Sequence, residues 1–309
     1  MEYDLKEVIG TILEDPAKNM VIGGCIKFAY RVVANNSTAP IGNMLEWHNF
    51  EGILLALMFK EEEACKIEGS GVLVGPGIAI VAKHVLDPYF KKMGAGQCIP
   101  YCFGLTSSGL QIWRGNEITY LSNQNDLAIL TLTYQAALPP ANQFNLARIS
   151  TRLPKLGETL FFSGFRAFSG EFKYDKEFSS PLTGDVFLST GIVTQQFPHG
   201  RGGLLPGPCV EIDCPALGGM SGGPVFDVNG LLVGILSTSF EGDGPSYATL
   251  IWPCLPVKFK GGWPNSLFAH TKSFLDLQKQ SCCFIDKPEV LDTSALDTAG
   301  FGKYSYKPW

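Results

Sequence analysis

The chain has 309 residues, of which 45% are hydrophobic and 17% charged, an ordinary globular composition that supplies a sizeable core. A net charge of −5, with no block of lysine or arginine, argues against nucleic acid and anionic membranes as partners. The longest apolar run, Ile53–Phe59, is too short for a membrane span, and the charged start carries no secretory signal, so we expect a cytoplasmic protein.

The nine cysteines form no evident disulfide framework, and their number is odd. We therefore expect reduced thiols and no metal or cofactor. The alternative is a zinc site built from two cysteine pairs, Cys98 with Cys102 and Cys209 with Cys214. Their irregular spacing, with no histidine nearby in the sequence, argues against it.

The first predicted element is an amphipathic helix in a leader, residues 1–49. Its apolar residues recur at the spacing of one helix face, and Pro16 would end the helix: Leu5, Val8, Ile9, Ile12 and Leu13. We expect this leader to pack on the body of the protein; the alternative is a docking peptide for a partner. Arg31–Val33 predicts a short strand.

Strand-like segments follow, in keeping with the 35 glycines and 20 prolines that many turns require. Before the proline-containing linker at 137–142, the predicted strands are 52–59, 70–82, 99–114, 117–121 and 126–133. After it they are 153–165, 186–193, 210–212 and 231–237, the last preceded by an Asn229–Gly230 hairpin turn. In the tail, a helix capped by Asn265 or Ser266 is predicted to run to about Gln280.

A glycine-rich loop, Cys214–Pro224, has one serine, Ser221, among four glycines. Glycine is needed where the backbone takes conformations closed to other residues or approaches a ligand closely. The backbone N–H groups of Gly219 and Ser221 are candidates to converge on an oxyanion. The alternative is a glycine-rich hairpin with an incidental serine.

The segment Gly219–Val225, Gly-Met-Ser-Gly-Gly-Pro-Val, resembles the nucleophile motif of trypsin-like (chymotrypsin-fold) serine peptidases. This family carries its triad in the order His, Asp, Ser. Val81–Leu86 is similar to the family's Ala-Ala-His segment and contains His84. Asn125–Leu132 is similar to its Asp-hydrophobic-Ala strand and begins at Asp126. The separations, 42 residues from His84 to Asp126 and 95 from Asp126 to Ser221, are close to those of a two-barrel peptidase.

The resemblance implies an all-β fold of two six-stranded antiparallel β-barrels, to which the helical leader and a C-terminal helix are added. The peptidase domain would span 50–257, with barrel 1 at about 50–136 and barrel 2 at about 150–257. Residues 258–309 would form a C-terminal extension with one helix.

The resemblance also implies acyl transfer by Ser221, His84 and Asp126, with Gly219 and Ser221 as the oxyanion hole. Ser237 is similar to the residue whose backbone pairs with an extended substrate. Pro215 lies where the family's pocket floor sits and favours an apolar substrate side chain. Glu241 and Asp243, in a loop that can reach the pocket rim, favour a basic one instead.

Met220 departs from the zymogen-type members, which carry an Asp immediately before the serine to receive a freed N-terminal ammonium. The chain is in this respect closer to non-zymogen bacterial members than to secreted digestive ones. Val21–Ile22–Gly23–Gly24 superficially resembles a zymogen-type N-terminus, but it lies too far before His84. We expect no activation by cleavage there.

Two functions are therefore weighed. The first is a serine endopeptidase that takes a protein or peptide substrate as an extended strand, with a regulatory protein partner to restrain it. The second is a catalytically silent peptidase fold that serves as a binding or scaffold module.

Overall fold

The two predicted barrels are present in the computed structural model of the chain. It describes residues 5–15, 20–36, 46–61, 64–121, 125–139, 143–169, 182–203, 205–239, 244–297, 299–300 and 305–306. Both barrels close through six antiparallel strands, which confirms the all-β class.

The first barrel closes in the order β3-β4-β5-β8-β7-β6. Its strands are β3 Leu54–Glu61, β4 Ala64–Gly75, β5 Ile78–Ala82, β6 Cys98–Thr106, β7 Gly109–Tyr120 and β8 Leu127–Tyr134. Strand β5 is buried at every position, as its uninterrupted apolar sequence predicts.

The second barrel closes in the order β11-β10-β13-β14-β15-β12, with β12 pairing back to β11. Its strands are β10 Thr159–Ser169, β11 Leu182–Phe197, β12 Cys209–Ile212, β13 Pro224–Phe226, β14 Leu231–Ser239 and β15 Ser246–Leu250. A short strand, β9 Arg148–Ser150, enters the barrel beside the start of β14.

The leader is a β-hairpin, so the predicted N-terminal helix is wrong. Its strands are β1 Lys6–Asp15 and β2 Met20–Asn36, and β2 runs parallel to β11 from Phe28 to Asn36. Pairing with β11 satisfies the β2 backbone, and the β-branched residues of β1 suit a strand. Of the five apolar residues that define the helical pattern, Ile12 and Leu13 are buried, whereas Leu5 and Ile9 are 56% and 48% exposed.

The tail lacks the single long helix predicted from 265 to about 280. A 3-10 turn at Asn265–Phe268 is followed by extended backbone, where Lys272 and Phe259 exchange both backbone hydrogen bonds. This bridge excludes a continuous helix. The helix that does form, α3 Phe274–Lys279, is capped by Ser273 in a capping box with Asp276.

Two short helices stand directly after β5. They are α1 Lys83–Leu86 and α2 Phe90–Gly94, joined by a 3-10 turn, Asp87–Tyr89. The remaining short elements are 3-10 turns Trp47–Asn49, Trp252–Cys254 and Pro288–Val290, and strands β16 Ile285–Asp286, β17 Leu291–Asp292 and β18 Ser305–Tyr306. Within the described ranges, no helix has the length and apolar character needed to cross a membrane.

Eight cysteines have described side chains, and five of these are free thiols: Cys102, Cys209, Cys254, Cys282 and Cys283. The ninth, Cys65, has no described side chain. Burial raises the pKa of Cys209 to about 11 and that of Cys283 to about 12, and it raises the pKa of Cys102 and Cys254 further. A raised pKa keeps a thiol protonated at neutral pH, and the thiolate is the reactive form.

We therefore expect these four thiols to react slowly with a thiol reagent at pH 8 in the folded protein. Unfolding in denaturant removes the burial, so all nine thiols should then react. The measurement is a colorimetric thiol titration with and without denaturant. Fewer than eight reactive thiols in denaturant would contradict the expectation of a reduced protein.

Candidate active site

His84 and Asp126 are brought together by the pairing of β5 with β8. Ala82, the last residue of β5, pairs with Leu127, the first residue of β8. His84 follows β5 in α1, and Asp126 immediately precedes β8. The backbone N–H of Lys83 donates to the backbone carbonyl of Asp126 at 3.0 Å, which fixes the two segments side by side.

The Asp126 carboxylate accepts three hydrogen bonds. One oxygen accepts the backbone N–H of His84 at 3.0 Å, and the other lies 2.8 Å from its Nδ1. The second oxygen also accepts the Ser237 hydroxyl. An ionised carboxylate only accepts, so this contact places the proton of a neutral imidazole on Nδ1 and leaves Nε2 able to accept.

Exposure differs between the two partners in the way that acid–base chemistry requires. The Asp126 side chain is 13% exposed, whereas the His84 side chain is 46% exposed. The carboxylate is thus shielded and held in one geometry, while the imidazole faces solvent and can meet a substrate.

Ser221 lies where the two barrels meet. Its backbone carbonyl accepts the N–H of Ser70 in β4 at 2.7 Å, and the next residue, Gly222, donates to Leu236 in β14 at 2.7 Å. The Ser221 hydroxyl is 3.5 Å from the backbone carbonyl oxygen of Ser237. Among the described residues it makes no hydrogen bond to His84.

The glycines around Ser221 are required by close backbone approach. Gly222 has a φ of +85°, and a Cβ there would lie 2.0 Å from the carbonyl oxygen of Ser70. Gly219 has a φ of +93°. Within the part of the chain that is described, neither the N–H of Gly219 nor that of Ser221 donates to a protein acceptor. Both donors of the predicted oxyanion hole are therefore available to a ligand.

Met220 holds this loop by burial. Its side chain is fully buried, and its Sδ lies 3.3 Å from the backbone N–H of Leu217, which donates to it. Its own N–H donates to the Leu217 carbonyl at 3.0 Å. A Cβ on Gly164 in β10 would lie 2.6 Å from the Met220 Cα, so Met220 packs directly against the barrel. Val21, the start of the zymogen-like segment, lies within β2 and pairs with Leu13.

Two side-chain hydroxyls that support the site are not predicted from the sequence. The first is Ser70, whose hydroxyl donates to the Gly219 carbonyl at 3.2 Å and accepts the Phe165 N–H at 2.9 Å. A polar residue between two glycines, directly before the apolar run Val72–Val74, was the available signal. The second is the Ser237 hydroxyl on Asp126, since Ser237 was predicted only as a backbone partner of the substrate.

Pro215, the predicted pocket floor, is half-buried beside the fully buried Cys214. The Ser246 hydroxyl of β15 donates to the Cys214 carbonyl and joins this segment to β15. Glu241 and Asp243, the alternative pocket residues, lie outside the described residues.

Other features do not contribute to this site. Over the described ranges, no three or more His, Cys, Asp or Glu side chains are grouped so as to hold a metal ion. A cavity of about 480 Å³ lies between β1 and the turn that joins β6 to β7, and none of the predicted site residues lines it.

Comparison with known protein families agrees with the motif. A family model described as a trypsin-like peptidase domain matches residues 69–235, more than half of the chain. No curated protein matches the sequence at a significant level.

Among solved structures, similar chains include Deg5, which is 19% identical with a TM-score of 0.46, over 65% of this chain and 85% of that one. The MamO protease domain from Magnetospirillum magneticum is 16% identical with a TM-score of 0.46, over 66% and 95% of the two chains. The inactive form of a serine-to-alanine variant of Rv3671c from Mycobacterium tuberculosis is 14% identical with a TM-score of 0.44, over 69% and 90%.

Proposed function

The chain belongs to the family of trypsin-like peptidase domains, and we propose that it is a serine endopeptidase that cleaves protein substrates through an acyl-enzyme. The observation that carries the proposal is the pair of contacts between the Asp126 carboxylate and His84. The carboxylate binds both the backbone N–H and Nδ1 of the same histidine, at 3.0 and 2.8 Å. A structural ion pair needs only one of these contacts, whereas a general base needs its ring orientation and its tautomer held together.

In the proposed reaction, the Ser221 hydroxyl oxygen attacks the peptide carbonyl carbon while Nε2 of His84 takes its proton. The tetrahedral intermediate collapses when the C–N bond breaks, and His84 gives the proton to the leaving amine. Water then attacks the acyl-enzyme with the same assistance and releases the carboxylic acid product. Asp126 remains ionised and stabilises the imidazolium in each half-reaction.

The oxyanion would be bound by the N–H groups of Gly219 and Ser221. These donors have no acceptor in the described protein, so no internal hydrogen bond must break when the intermediate forms. Donors of this kind typically contribute about 3–4 kcal/mol each to transition-state stabilisation. Ser70 supports their orientation, because its hydroxyl holds the carbonyl of Gly219.

The substrate is proposed to bind as an extended strand on β14. β13 pairs with β14 only as far as Ile235, and Leu236 bonds to the loop residues Gly222 and Gly223. Ser237–Ser239 therefore extend past the end of β13 on the side of Ser221. Backbone pairing there would place a peptide carbonyl within reach of the serine. The half-buried, uncharged Pro215 supports an apolar side chain before the scissile bond.

A second function, a silent binding module, is supported by one observation: the Ser221 hydroxyl is directed to the Ser237 carbonyl and not to His84. We favour the enzyme, because catalytic hydrogen bonds are often long without substrate and tighten in the complex. A cytoplasmic location, which the free thiols of five described cysteines support, and a restraining protein partner are part of the proposal.

Labelling with a fluorophosphonate probe tests the proposal. An activated serine should form one covalent adduct, located at Ser221 by mass spectrometry, and the Ser221→Ala variant should remain unlabelled. Heat-denatured protein is the control for nonspecific reaction. Absence of labelling of correctly folded wild-type protein would favour the binding module.

A further inference from the structure

The position of one acidic residue, Glu68 in β4, is set by a β-bulge. β3 and β4 pair in regular register up to Leu57 with Gly69, and the next pair is Met58 with Ile67. Glu68 is thus the extra residue of the bulge. A bulge breaks the alternation of side chains along a strand and redirects one of them, and bulges are frequent next to active sites.

The bulge lies beside the proposed nucleophile. The following residue, Gly69, approaches so closely that a Cβ there would lie 3.1 Å from the Ser221 carbonyl oxygen and 2.7 Å from Val85. Ser70, one residue further, donates its N–H to that same carbonyl. Glu68 therefore lies two residues from the strand's bond to Ser221, next to the helical segment that carries His84.

The Glu68 carboxylate is oriented by an aromatic side chain of that helical segment. The Tyr89 hydroxyl donates to its Oε1 at 2.8 Å, and the Tyr89 ring stacks on Phe59 with 3.9 Å between the ring centroids. Lys66 lies 4.0 Å from the same oxygen and its side chain is 74% exposed, so it neutralises the carboxylate only weakly. Lys83 is already paired with Asp87 at 2.8 Å.

If the residues before the scissile bond pair with Ser237–Ser239 of β14, the residues after it must continue on the other side of Ser221. Ser221 is bonded to β4 on one side, and its neighbour Gly222 is bonded to β14 on the other. An extended chain advances roughly 3.3 Å per residue. The first two residues after the scissile bond would therefore run along the bulged part of β4, past Glu68.

We propose that Glu68 selects substrates with a lysine or arginine in the first two positions after the scissile bond. The inference rests on the proposed function, because it assigns the leaving-group side of the same site. A partly shielded carboxylate attracts a cationic side chain and repels an acidic one, and its fixed orientation adds a directed hydrogen bond. Glu68 would thus determine specificity without taking part in bond cleavage.

The experiment measures kcat/KM for two internally quenched peptides that differ only in those two positions, Lys-Lys against Glu-Glu. The wild type is expected to prefer the Lys-Lys peptide by about tenfold at low salt, and raising the ionic strength should reduce that ratio. Glu68→Gln should bring the ratio to within about twofold of unity, and Glu68→Lys should reverse it. Glu289→Gln, on an exposed turn beyond β16, should keep the wild-type ratio.

A ratio that is near unity in the wild type, or that Glu68→Gln leaves unchanged, would overturn the inference. Hydrolysis of a small activated ester, which has no residues after the scissile bond, separates this failure from failure of the proposed function. Ester hydrolysis that depends on Ser221, without peptide discrimination, would refute only the role of Glu68. No ester hydrolysis and no fluorophosphonate labelling would refute both.

Discussion

Replacing Asp126 by asparagine is expected to lower kcat by about 10⁴-fold while leaving the fold intact. An asparagine amide can donate to Nδ1, and the histidine would then carry its proton on Nε2, where it cannot accept one from Ser221. The Ser237 hydroxyl, which donates to the oxygen that faces Nδ1, would meet the amide NH2 there and could no longer donate to it.

The measurement is the single-turnover rate of ester hydrolysis by wild type and variant, with far-ultraviolet circular dichroism to check the fold. Asp286→Asn, in β16 of the C-terminal tail, is the matched control and should hydrolyse the ester at the wild-type rate. A loss of less than about tenfold in Asp126→Asn would show that the carboxylate does not hold the catalytic tautomer, because tautomer control accounts for most of the expected effect.

Replacing Met220 by alanine is expected to lower the free energy of unfolding by about 2–5 kcal/mol, because it empties a fully buried site beneath β10. It also removes the thioether that accepts the Leu217 N–H, and thereby loosens the turn before Ser221. Met220→Leu, which conserves volume, should cost less than about 1.5 kcal/mol. Urea denaturation of the three proteins measures these differences.

We expect the catalytic activity of these variants to depend on how well the loop that contains Ser221 is ordered, and not on the global stability of the protein. We expect Met220→Ala to lose kcat at temperatures where it is still fully folded, since the two oxyanion donors flank the residue. Met220→Leu should retain most of the activity. If both variants were less stable but kept the wild-type kcat, the loop would be ordered without Met220.

This role of Met220 also bears on activation. An uncharged, buried residue before the serine gives a free N-terminal ammonium no partner, and burying one unpaired there would cost several kcal/mol. Val21 is moreover held within β2. A large gain in activity after cleavage before Ile22, lost on acetylation of the new amine, would show that the loop is ordered by an ion pair after all.

The leader shows where a sequence pattern leads to the wrong element. The apolar spacing of residues 5–13 fits one face of a helix, and a helix of about ten residues is marginal in isolation. The β-hairpin is favoured over this helix because β11 offers a free edge, with which nine residues of β2 pair. Such an edge is formed by residues more than 150 positions away in the chain, so the local pattern has no access to it.

The sequence alone determined the two barrels and the three residues of the proposed triad. Each of those residues stands next to a strong local signal: His84 after a buried strand, Asp126 before one, and Ser221 among glycines that close backbone contact demands. The tertiary structure alone decided which side chains support them. Ser70, the Ser237 hydroxyl and Glu68 reach the site through pairing between distant strands and through a bulge in one of them. Their roles depend on register and on contact between the barrels, and neither is encoded in the spacing of residues along a single segment.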